Sequence, residues 1–531
     1  MEFRSFVWIP ILLVSALSNG CQPAENTGAE DPDATDITLR RGNGGEPGSL
    51  DPALAEDIHA FNILLDLYEG LVTVDGGGRI IPGVAESWTV SPEHREYRFK
   101  LRRDARWSNG DPVLAGDFVR AFRHAVRSET AASYAFLLSD IAGFDAVMAA
   151  EATPDALGIE AIDAQTLLIR LDTPAPHFLS ILTMPIASPR HADAATGLVS
   201  NGPYRLESRQ PMGLIRLIRN EHFHAADTIA VERVEYFPIV DAYSELNRFR
   251  AGELDITHTI PPNQLTALTG QYGNAVRIAP SLALYYIAFD LGEAPLDNAD
   301  LRKALSLAID RRSLVDVIGR GELPAFGIVP PGVAGYEGAR YEWADIDDAE
   351  RVRLARESFR KAGYGQDEPL TLTFLYDAGD IHETIALALA DMWRDVLGID
   401  VTFDKREWMF FLAAREDRSE WEVMRFSWFG DYDDASTFTD IFRSDNIQNL
   451  PGYRSREYDR LTAEAAAATD PDARARKLEL AERRLLDDYA IAPLYFYVSK
   501  HLVADHVSGF EDNVLDRHPT RFMSIDTEPR R

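Results

Sequence analysis

The stretch from Leu370 to Asp404 constrains the fold most, because its hydrophobic period changes twice. Strand-like alternation is shown first by Leu370, Leu372 and Phe374, and again by Ile399, Val401 and Phe403. Between them, helical spacing is shown by Ile385, Leu389, Met392, Trp393 and Val396, with Gly398 at the end. This order predicts a strand–helix–strand unit with a right-handed crossover in an α/β protein. Ligands collect outside the carboxyl ends of such strands, where Asp377 and His382 lie.

Two further helices are predicted from spacing and caps. The first carries Leu301, Ala304, Leu305 and Ala308 on one face, after a run of Asp and Asn. The second begins at Asp470-Pro471 and carries Leu478, Ala481, Leu485 and Leu486 on one stripe.

A second strand-like segment carries charges that suggest a binding site. Arg425, Ser427 and Phe429 share one face of a predicted strand, and Asp431 continues that face. Arg425 and Asp431 are six residues apart, or up to about 20 Å along an extended chain. Opposite charges at this spacing could bracket a small zwitterion. The alternative is that both are separate surface charges at a strand end.

Length and charge limit the possible partners. A chain of 531 residues is too long for one ordinary core, so several domains are expected. Its formal net charge is −31, which repels phosphate backbones. Nucleic acid is therefore not an expected partner.

The amino terminus resembles an export signal. Arg4 precedes an apolar run from Phe6 to Leu17, and this run is shorter than the roughly 20 residues that a membrane-spanning helix needs. Cys21 is the only cysteine and follows small residues, as in a bacterial lipoprotein cleavage site. We expect a signal peptide at 1-20, lipid attachment at Cys21 and a flexible tether at 21-36.

The motifs of common enzymes and metal sites are absent from the sequence. His382-Glu383 begins like a zinc-protease helix, but Ala386 stands where the second histidine is needed. The acidic run that starts at Asp431 lacks the glycine and glutamate of a calcium loop. There is no G-x-S-x-G elbow, and the single cysteine lies in the tether. We therefore expect neither catalysis, nor a metal, nor a cofactor.

Seven short motifs occur in order along the chain. They are Ser49–Pro52, Leu67–Leu71, Pro82–Trp88, Trp107–Pro112, Ser200–Tyr204, Arg250–Ile256 and Trp428–Tyr432. Together they resemble the oligopeptide-binding proteins of ABC importers, the peptide and nickel-binding type of bacterial extracellular solute-binding protein family 5. The likeness covers nearly the whole mature chain.

The resemblance implies a bilobal periplasmic-binding-protein fold of the larger, three-region type, with a hinge and a cleft between the lobes. The first lobe would hold domain I, formed by 37-68, 196-282 and 500-531, and domain II, formed by 69-195. Domain III, at 283-499, would form the second lobe.

The resemblance also implies the roles of single residues. Asp431 matches the carboxylate that binds the α-amino group of a peptide. His382, Arg415 and Arg425 match cationic positions that receive the C-terminal carboxylate, and the choice among them depends on peptide length. The segment of Glu56, Asp57 and Ile58 matches one that pairs with the peptide backbone like an added strand. The remaining positions that match residues around the ligand are Tyr134, Trp408, Ser427, Trp428 and Phe429.

One departure concerns a disulfide. In enteric relatives a disulfide links the positions that align with Ala283 and Phe429, and this chain has neither cysteine. Phe429 also enlarges a residue beside the expected pocket.

The expected partners are short peptides, the permease subunits of an ABC importer, and a membrane through lipidated Cys21 alone. A monomer in the periplasm or cell envelope is expected. The alternatives are a receptor for a narrower ligand such as a murein tripeptide, an exported peptide hydrolase, and a purely structural envelope protein.

Overall fold

The computed structural model describes residues 37–193, 197–365 and 369–526. The expected signal peptide, Cys21 and the tether lie outside the described residues. Within the described ranges, no helix has both the length and the apolar character needed to cross a membrane.

Eighteen strands, numbered in chain order, occur in the described residues. They are β1 (Thr38–Gly42), β2 (Val72–Val74), β3 (Ile80–Pro82), β4 (Ala85–Val90), β5 (Glu96–Leu101), β6 (Ile159–Ala161), β7 (Thr166–Arg170), β8 (Tyr204–Arg209), β9 (Ile215–Arg219), β10 (Arg233–Phe237), β11 (Val276–Phe289), β12 (Leu323–Pro324), β13 (Thr371–Asp377), β14 (Asp400–Arg406), β15 (Val423–Phe429), β16 (Ile491–Leu502), β17 (Val507–Ser508) and β18 (Ser524–Ile525).

Fourteen α-helices occur in the same ranges, several of them a single turn long. They are α1 (Ile58–Leu67), α2 (Ala115–Ala125), α3 (Phe144–Met148), α4 (Phe178–Ile181), α5 (Ala242–Arg250), α6 (Leu265–Tyr272), α7 (Ala299–Ala308), α8 (Arg311–Ile318), α9 (Asp348–Lys361), α10 (Asp380–Leu397), α11 (Trp408–Glu416), α12 (Ser436–Thr439), α13 (Arg456–Ala466) and α14 (Pro471–Asp487).

Three larger sheets organise these elements. Sheet one has the order β1-β10-β9-β8, and sheet two has the order β4-β5-β7-β6. Sheet three has six strands in the order β12-β16-β11-β15-β13-β14. Two small pairs, β2-β3 and β17-β18, complete the list for the described residues.

Each larger sheet has its own hydrophobic core. The core of sheet two is formed by one continuous stretch, from Leu71 to Ala187. The core of sheet one draws on three stretches, represented by Leu39, Tyr204 and Val503. The core of sheet three is the largest. The boundaries expected for the three domains remain a prediction.

The strand–helix–strand unit is confirmed. β13 and β14 pair in parallel, and α10 connects them. Gly398 adopts a left-handed conformation (φ 75°) that ends the helix, which favours glycine. Because β14 is the edge strand of sheet three, Phe403 is exposed there although it keeps the predicted alternation.

The other two predicted helices are confirmed as α7 and α14. Asn298 caps α7 by accepting from the backbone N–H groups of Asp300 and Leu301, and the predicted apolar face is buried. Asp470 caps α14 through the N–H of Ala473, and Pro471 takes the first helical position.

The two longest strands, β11 and β16, connect different cores. Their paired inner halves lie in the core of sheet three, whereas Leu502 at the end of β16 packs in a small cluster with Leu246 and Leu254. The pairing register shifts between Pro280 and Leu284. A two-stranded connection bends most easily at such a shift in the pairing register.

Candidate functional site

Arg425 lies on β15, and its side chain is buried against one face of sheet three. This strand lies between β11 and β13, antiparallel to the first and parallel to the second. The Arg425 side chain is only 8% exposed. Its guanidinium lies 4.7 Å from the ring centroid of Phe411 and 5.8 Å from that of Trp408. Two aromatic faces therefore cover the cation.

Three side chains from neighbouring elements surround Arg425, and we call the four together the Arg425 cluster. Asp377, the last residue of β13, forms a buried ion pair with Arg425. His382, in the first turn of α10, has its Nε2 3.8 Å from Asp377 Oδ1. Its Nδ1 lies 3.1 Å from the hydroxyl of Tyr285 on β11. The cluster thus unites elements separated by more than 130 residues.

The Arg425 cluster carries less positive charge than the resemblance implies. Burial, with the adjacent charge of Arg425, lowers the pKa of His382 to about 4, although Asp377 acts in the opposite direction. The imidazole is therefore neutral at pH 7 and can offer one hydrogen bond but no charge. Because Asp377 balances Arg425, a ligand carboxylate would meet hydrogen-bond donors and not a free cation.

The loop after β15 is anchored at three of its side chains. The ring of Tyr432 stacks on His177, with centroids 4.8 Å apart. Asp433 accepts a hydrogen bond from the backbone N–H of Ala334 at 3.0 Å. Asp434 forms a bidentate pair with Arg474 at 2.7 and 2.8 Å. These contacts fix the backbone that presents Asp431.

Asp431 differs from these neighbours because its carboxylate is unengaged. Among the residues that the structure describes, none forms a hydrogen bond or an ion pair with it. The side chain is half-buried. Burial raises the pKa of Asp431 to about 6, and the charge of Arg517 opposes this rise. A partly desolvated carboxylate without a partner is an arrangement suited to a cationic ligand group.

Two other predicted residues lie near Asp431. The pKa of Tyr134 is raised, first by burial and then by the negative charges of Asp431 and Glu56. Arg517 also lies near Asp431. Burial lowers the pKa of Arg517 to about 10, and the negative charges of Asp433, Tyr134 and Asp431 act in the opposite direction. We call Asp431, Tyr134, Glu56 and Arg517 the Asp431 site.

The segment of Glu56, Asp57 and Ile58 is only partly extended. Asp57 has extended dihedral angles, but its carboxylate caps α1 through Ala60 N (2.8 Å) and also accepts from Gly48 N (3.0 Å). Ile58 is already the first residue of that helix, and Glu56 is exposed. The predicted strand addition would therefore have to end at Asp57.

Of the predicted aromatic and hydroxyl residues on β15 and α11, three lie on the same side of sheet three as Arg425, and one lies on the opposite side. Ser427 Oγ lies 2.9 Å from the hydroxyl of Tyr497, and the Phe429 ring, 61% exposed, lies 5.1 Å from the ring of the same tyrosine. Trp408 is half exposed above Arg425. Trp428 points to the opposite face of β15 and packs on the core of sheet three.

The structure does not bring Arg415 into the Arg425 cluster. Its guanidinium donates to Glu416 at 2.7 and 3.0 Å and lies 5.6 Å from the ring of Phe426. Since side chains alternate along a strand, Phe426 belongs to the other face of β15 from Arg425.

Sequence reasoning missed Arg517, Phe411 and Tyr497. Tyr495 and Tyr497 alternate within β16, which is a signal for a shared face, but nothing in that spacing reveals which sheet face meets the site. Arg517 lies 86 positions after Asp431, and no local pattern connects the two.

Comparison with known proteins agrees with this architecture. The model of bacterial extracellular solute-binding proteins, family 5 Middle, matches residues 79–449. The periplasmic oligopeptide-binding protein OppA of Salmonella typhimurium is 34% identical over 487 residues, which cover 89% of this chain and 89% of that protein.

Solved structures give the same result. The unliganded open form of the periplasmic murein tripeptide-binding protein MppA is 33% identical and matches with a TM-score of 0.87, covering 93% of this chain and 98% of that one. Haemophilus influenzae OppA in complex with the peptide RPPGFSPFR is 32% identical, with a TM-score of 0.71 over 93% and 99% of the two chains. The predicted bilobal α/β fold is thereby confirmed. The chain belongs to family 5 of the bacterial extracellular solute-binding proteins.

Proposed function

We propose that this protein captures short peptides by their charged ends outside the cytoplasmic membrane and delivers them to an ABC importer. The relatives named above bind an oligopeptide or a murein tripeptide, and the family consists of solute-binding proteins. Which ligand this protein binds must be inferred from its own residues.

The observation that carries the proposal is the unengaged carboxylate of Asp431. A half-buried carboxylate with a raised pKa is an unfavourable state that an ammonium group relieves, by charge and by hydrogen bonds. Tyr134 and Glu56 add further oxygen atoms in the same neighbourhood. A primary ammonium, such as the amino terminus of a peptide, is therefore the ligand group that fits best.

The Arg425 cluster would receive the other end of the peptide. It offers the remaining guanidinium N–H groups, the imidazole of His382 and the hydroxyl of Tyr285. Up to about 20 Å of extended chain separates Arg425 from Asp431, and the ends of an extended tri- to pentapeptide lie about 7 to 17 Å apart. Since backbone and end groups are common to all peptides, this mode tolerates many side chains.

Titration calorimetry with three forms of trialanine tests the proposal. We expect binding of the free tripeptide and loss of at least about 100-fold in affinity after N-acetylation, because the acetyl group removes the ammonium that Asp431 holds. Amidation of the carboxyl end should weaken binding less, because Asp377 already balances Arg425. Equal affinity for the free and acetylated forms would refute the proposal.

We also propose that Cys21 carries a lipid that holds the protein at the membrane, because it follows an apolar run and small residues as in a bacterial lipoprotein cleavage site. Mass spectrometry of the mature amino terminus would show a diacylglyceryl group on Cys21. A Cys21→Ser variant should appear in the soluble fraction, and membrane retention of that variant would contradict the proposal.

A narrower ligand is the second candidate, because a murein peptide-binding relative is as similar to this chain in sequence, at 34% identity, as the oligopeptide-binding relatives are. Competition between a murein tripeptide and trilysine separates the two functions. A general receptor should bind both peptides with affinities within about tenfold of each other, whereas a receptor specialised for murein tripeptide should not bind trilysine. Recovery of intact peptide after long incubation would also argue against an exported hydrolase.

A further inference from the structure

The carboxyl-terminal segment brings together three side chains of the metal-binding type, two of which flank Arg517 of the Asp431 site. His501 lies near the end of β16, and Asp516 and His518 lie on the turn that follows β17. One nitrogen or oxygen atom from each lies within 4.8 Å of the other two. His501 and His518 are buried, and the Asp516 side chain is 30% exposed.

The two imidazoles converge on one point. His501 Nε2 lies 2.8 Å from Asp516 Oδ1, and His518 Nε2 lies 3.0 Å from the same oxygen. A tetrahedral ion with bonds of about 2.0 to 2.1 Å holds its ligand atoms about 3.3 Å apart. The two nitrogen–oxygen distances are a few tenths of an ångström shorter than this, and the ligand atoms of the two histidines lie within 4.8 Å of each other. The partly exposed carboxylate has room to move outward.

The hydrogen bond on the far side of His501 selects the tautomer that a metal requires. Its Nδ1 lies 2.8 Å from the carbonyl oxygen of Thr257, which has no proton to give, so Nδ1 is protonated. In the present structure Nε2 also carries a proton, because it donates to Asp516 Oδ1 at 2.8 Å; a metal ion would displace that proton and take the lone pair of Nε2. Such a donor contact behind a ligating histidine is the usual support of metal sites.

The segment that carries the other two ligands is held in place. The side chain of Asn513 donates to the carbonyl oxygen of Arg517 at 2.9 Å and accepts from its N–H at 3.2 Å. Arg41 donates to the carbonyl oxygen of His518 at 2.9 Å. Asp516 itself has φ 53°, a left-handed conformation that aspartate tolerates but that is uncommon outside turns and sites.

From this geometry we propose that His501, Asp516 and His518 bind one divalent transition-metal ion of the zinc, nickel or copper type. Two imidazoles and one carboxylate suit these ions, and the exposed side of Asp516 leaves the fourth position to water. The ion ties the carboxyl-terminal turn to the end of β16, one of the two long strands that connect the cores. Arg517 of the Asp431 site lies between Asp516 and His518 in the sequence, so the same ion would also hold the segment that carries Arg517.

Cobalt serves as the spectroscopic probe. The protein is produced without a histidine tag, treated with a chelator and titrated with Co²⁺. We expect one equivalent to bind with the visible absorption of a tetrahedral site, and Zn²⁺ to displace it. His501→Gln, His518→Gln and Asp516→Asn should each weaken binding by at least about 100-fold, since loss of an outer partner alone costs 10- to 100-fold.

His506→Gln is the matched control. His506 Nε2 lies 2.8 Å from Asp255 Oδ1, a second histidine–carboxylate pair that lacks a third ligand in the described residues. The control variant should bind Co²⁺ as the wild type does. Failure of the wild type to bind, or an equal loss in His506→Gln, overturns the proposal.

Anomalous diffraction from wild-type crystals soaked in Co²⁺ gives a second result that does not depend on the folding of any variant. A peak between the two Nε2 atoms and Asp516 supports the site. Peaks found only at other residues contradict it.

Discussion

At the scale of the residue, Asp431 stands apart from the aspartates that follow it along the chain. Asp433 and Asp434 have partners within the protein, whereas the carboxylate of Asp431 is half-buried and unengaged in the described part of the chain. The carboxylate of Asp431 therefore keeps hydrogen-bonding capacity that its neighbours in the described residues do not use. Such a residue should favour binding at the expense of stability.

Asp431→Asn should weaken the binding of free trialanine by about 2 to 5 kcal/mol, because the amide keeps the shape but not the charge that holds the ammonium. Calorimetry at pH 7.5 measures the change. Asp433→Asn is the control, since its side chain already accepts from Ala334 N, and it should change affinity by less than about 1 kcal/mol. Equal losses in the two variants would remove Asp431 from the site.

The same substitution should stabilise the unliganded protein at neutral pH. Folding raises the pKa of Asp431 from 3.8 to about 6, so the charged form costs stability above pH 6, and the cost disappears as the pH falls below about 4. A change of this size corresponds to at most about 3 kcal/mol.

Thermal unfolding of Asp431→Asn and wild type at pH 7.5 and at pH 4 measures this effect. We expect the variant to be more stable by about 1 to 3 kcal/mol at pH 7.5 and equal at pH 4. A variant less stable than the wild type at pH 7.5 would contradict the assignment.

At the scale of the element, the parallel neighbours β13 and β15 each supply one member of the buried pair between Asp377 and Arg425. Asp377→Asn leaves the guanidinium unpaired, which should cost about 3 to 5 kcal/mol of stability. The double variant Asp377→Leu/Arg425→Met should recover most of this loss. Thermal unfolding measures both, and an Asp377→Asn protein as stable as wild type would show that the pair does not form.

The register of β11 and β15 gives a second test at this scale. Ala283 lies opposite Phe429, and the N–H of Gly430 donates to the carbonyl oxygen of Leu282, so the first two form a non-hydrogen-bonded pair with Cα atoms about 4.5 Å apart. That spacing permits a disulfide. In a Cys21→Ser background, Ala283→Cys/Phe429→Cys should oxidise to a disulfide that mass spectrometry detects.

The matched control is Ala283→Cys/Trp428→Cys, whose side chains point to opposite faces of sheet three. It should keep two free thiols. A disulfide in the control, or none in the first variant, would mean that the register is different.

The elements that could be predicted from the sequence are those whose causes are local. The cap at Asp470 with Pro471, and the change of hydrophobic period before Gly398, each depend on residues within a few turns of one another. The position of β15 between β11 and β13 depends on pairing between strands more than 40 residues apart, so it could not be predicted from any local sequence pattern.

The site followed the same division. Arg425 could be placed on a strand by alternation, but Asp431 does not continue that strand face as predicted, because β15 ends at Phe429 and Asp431 lies in the loop that follows. The neutralisation of Arg425 by Asp377 could not be predicted, because it requires the sheet order. Arg415, which the resemblance offers as an alternative to Arg425 for another peptide length, pairs with Glu416 in the structure. The charge that each residue presents depends on neighbours supplied by the fold, and the resemblance does not give those neighbours.

At the scale of the whole molecule, the match to the unliganded open form exceeds the match to the peptide complex, with TM-scores of 0.87 and 0.71. We expect the lobes to close on peptide, because Asp431 and the Arg425 cluster gain partners only when the ligand is enclosed. Small-angle scattering should show the radius of gyration falling toward the value of about 23 Å for a compact chain of about 490 residues.

Asp431→Asn with the same peptide is the control and should show no compaction. An unchanged scattering curve for the wild type at saturating peptide would contradict closure.

A crystal structure of the protein with trialanine bound would show directly whether Asp431 holds the amino end of a peptide. We expect the α-amino nitrogen of the peptide within hydrogen-bonding distance of the Asp431 carboxylate, with its carboxyl end toward the Arg425 cluster. A peptide bound elsewhere, or in the cleft with Asp431 facing solvent, would contradict this expectation.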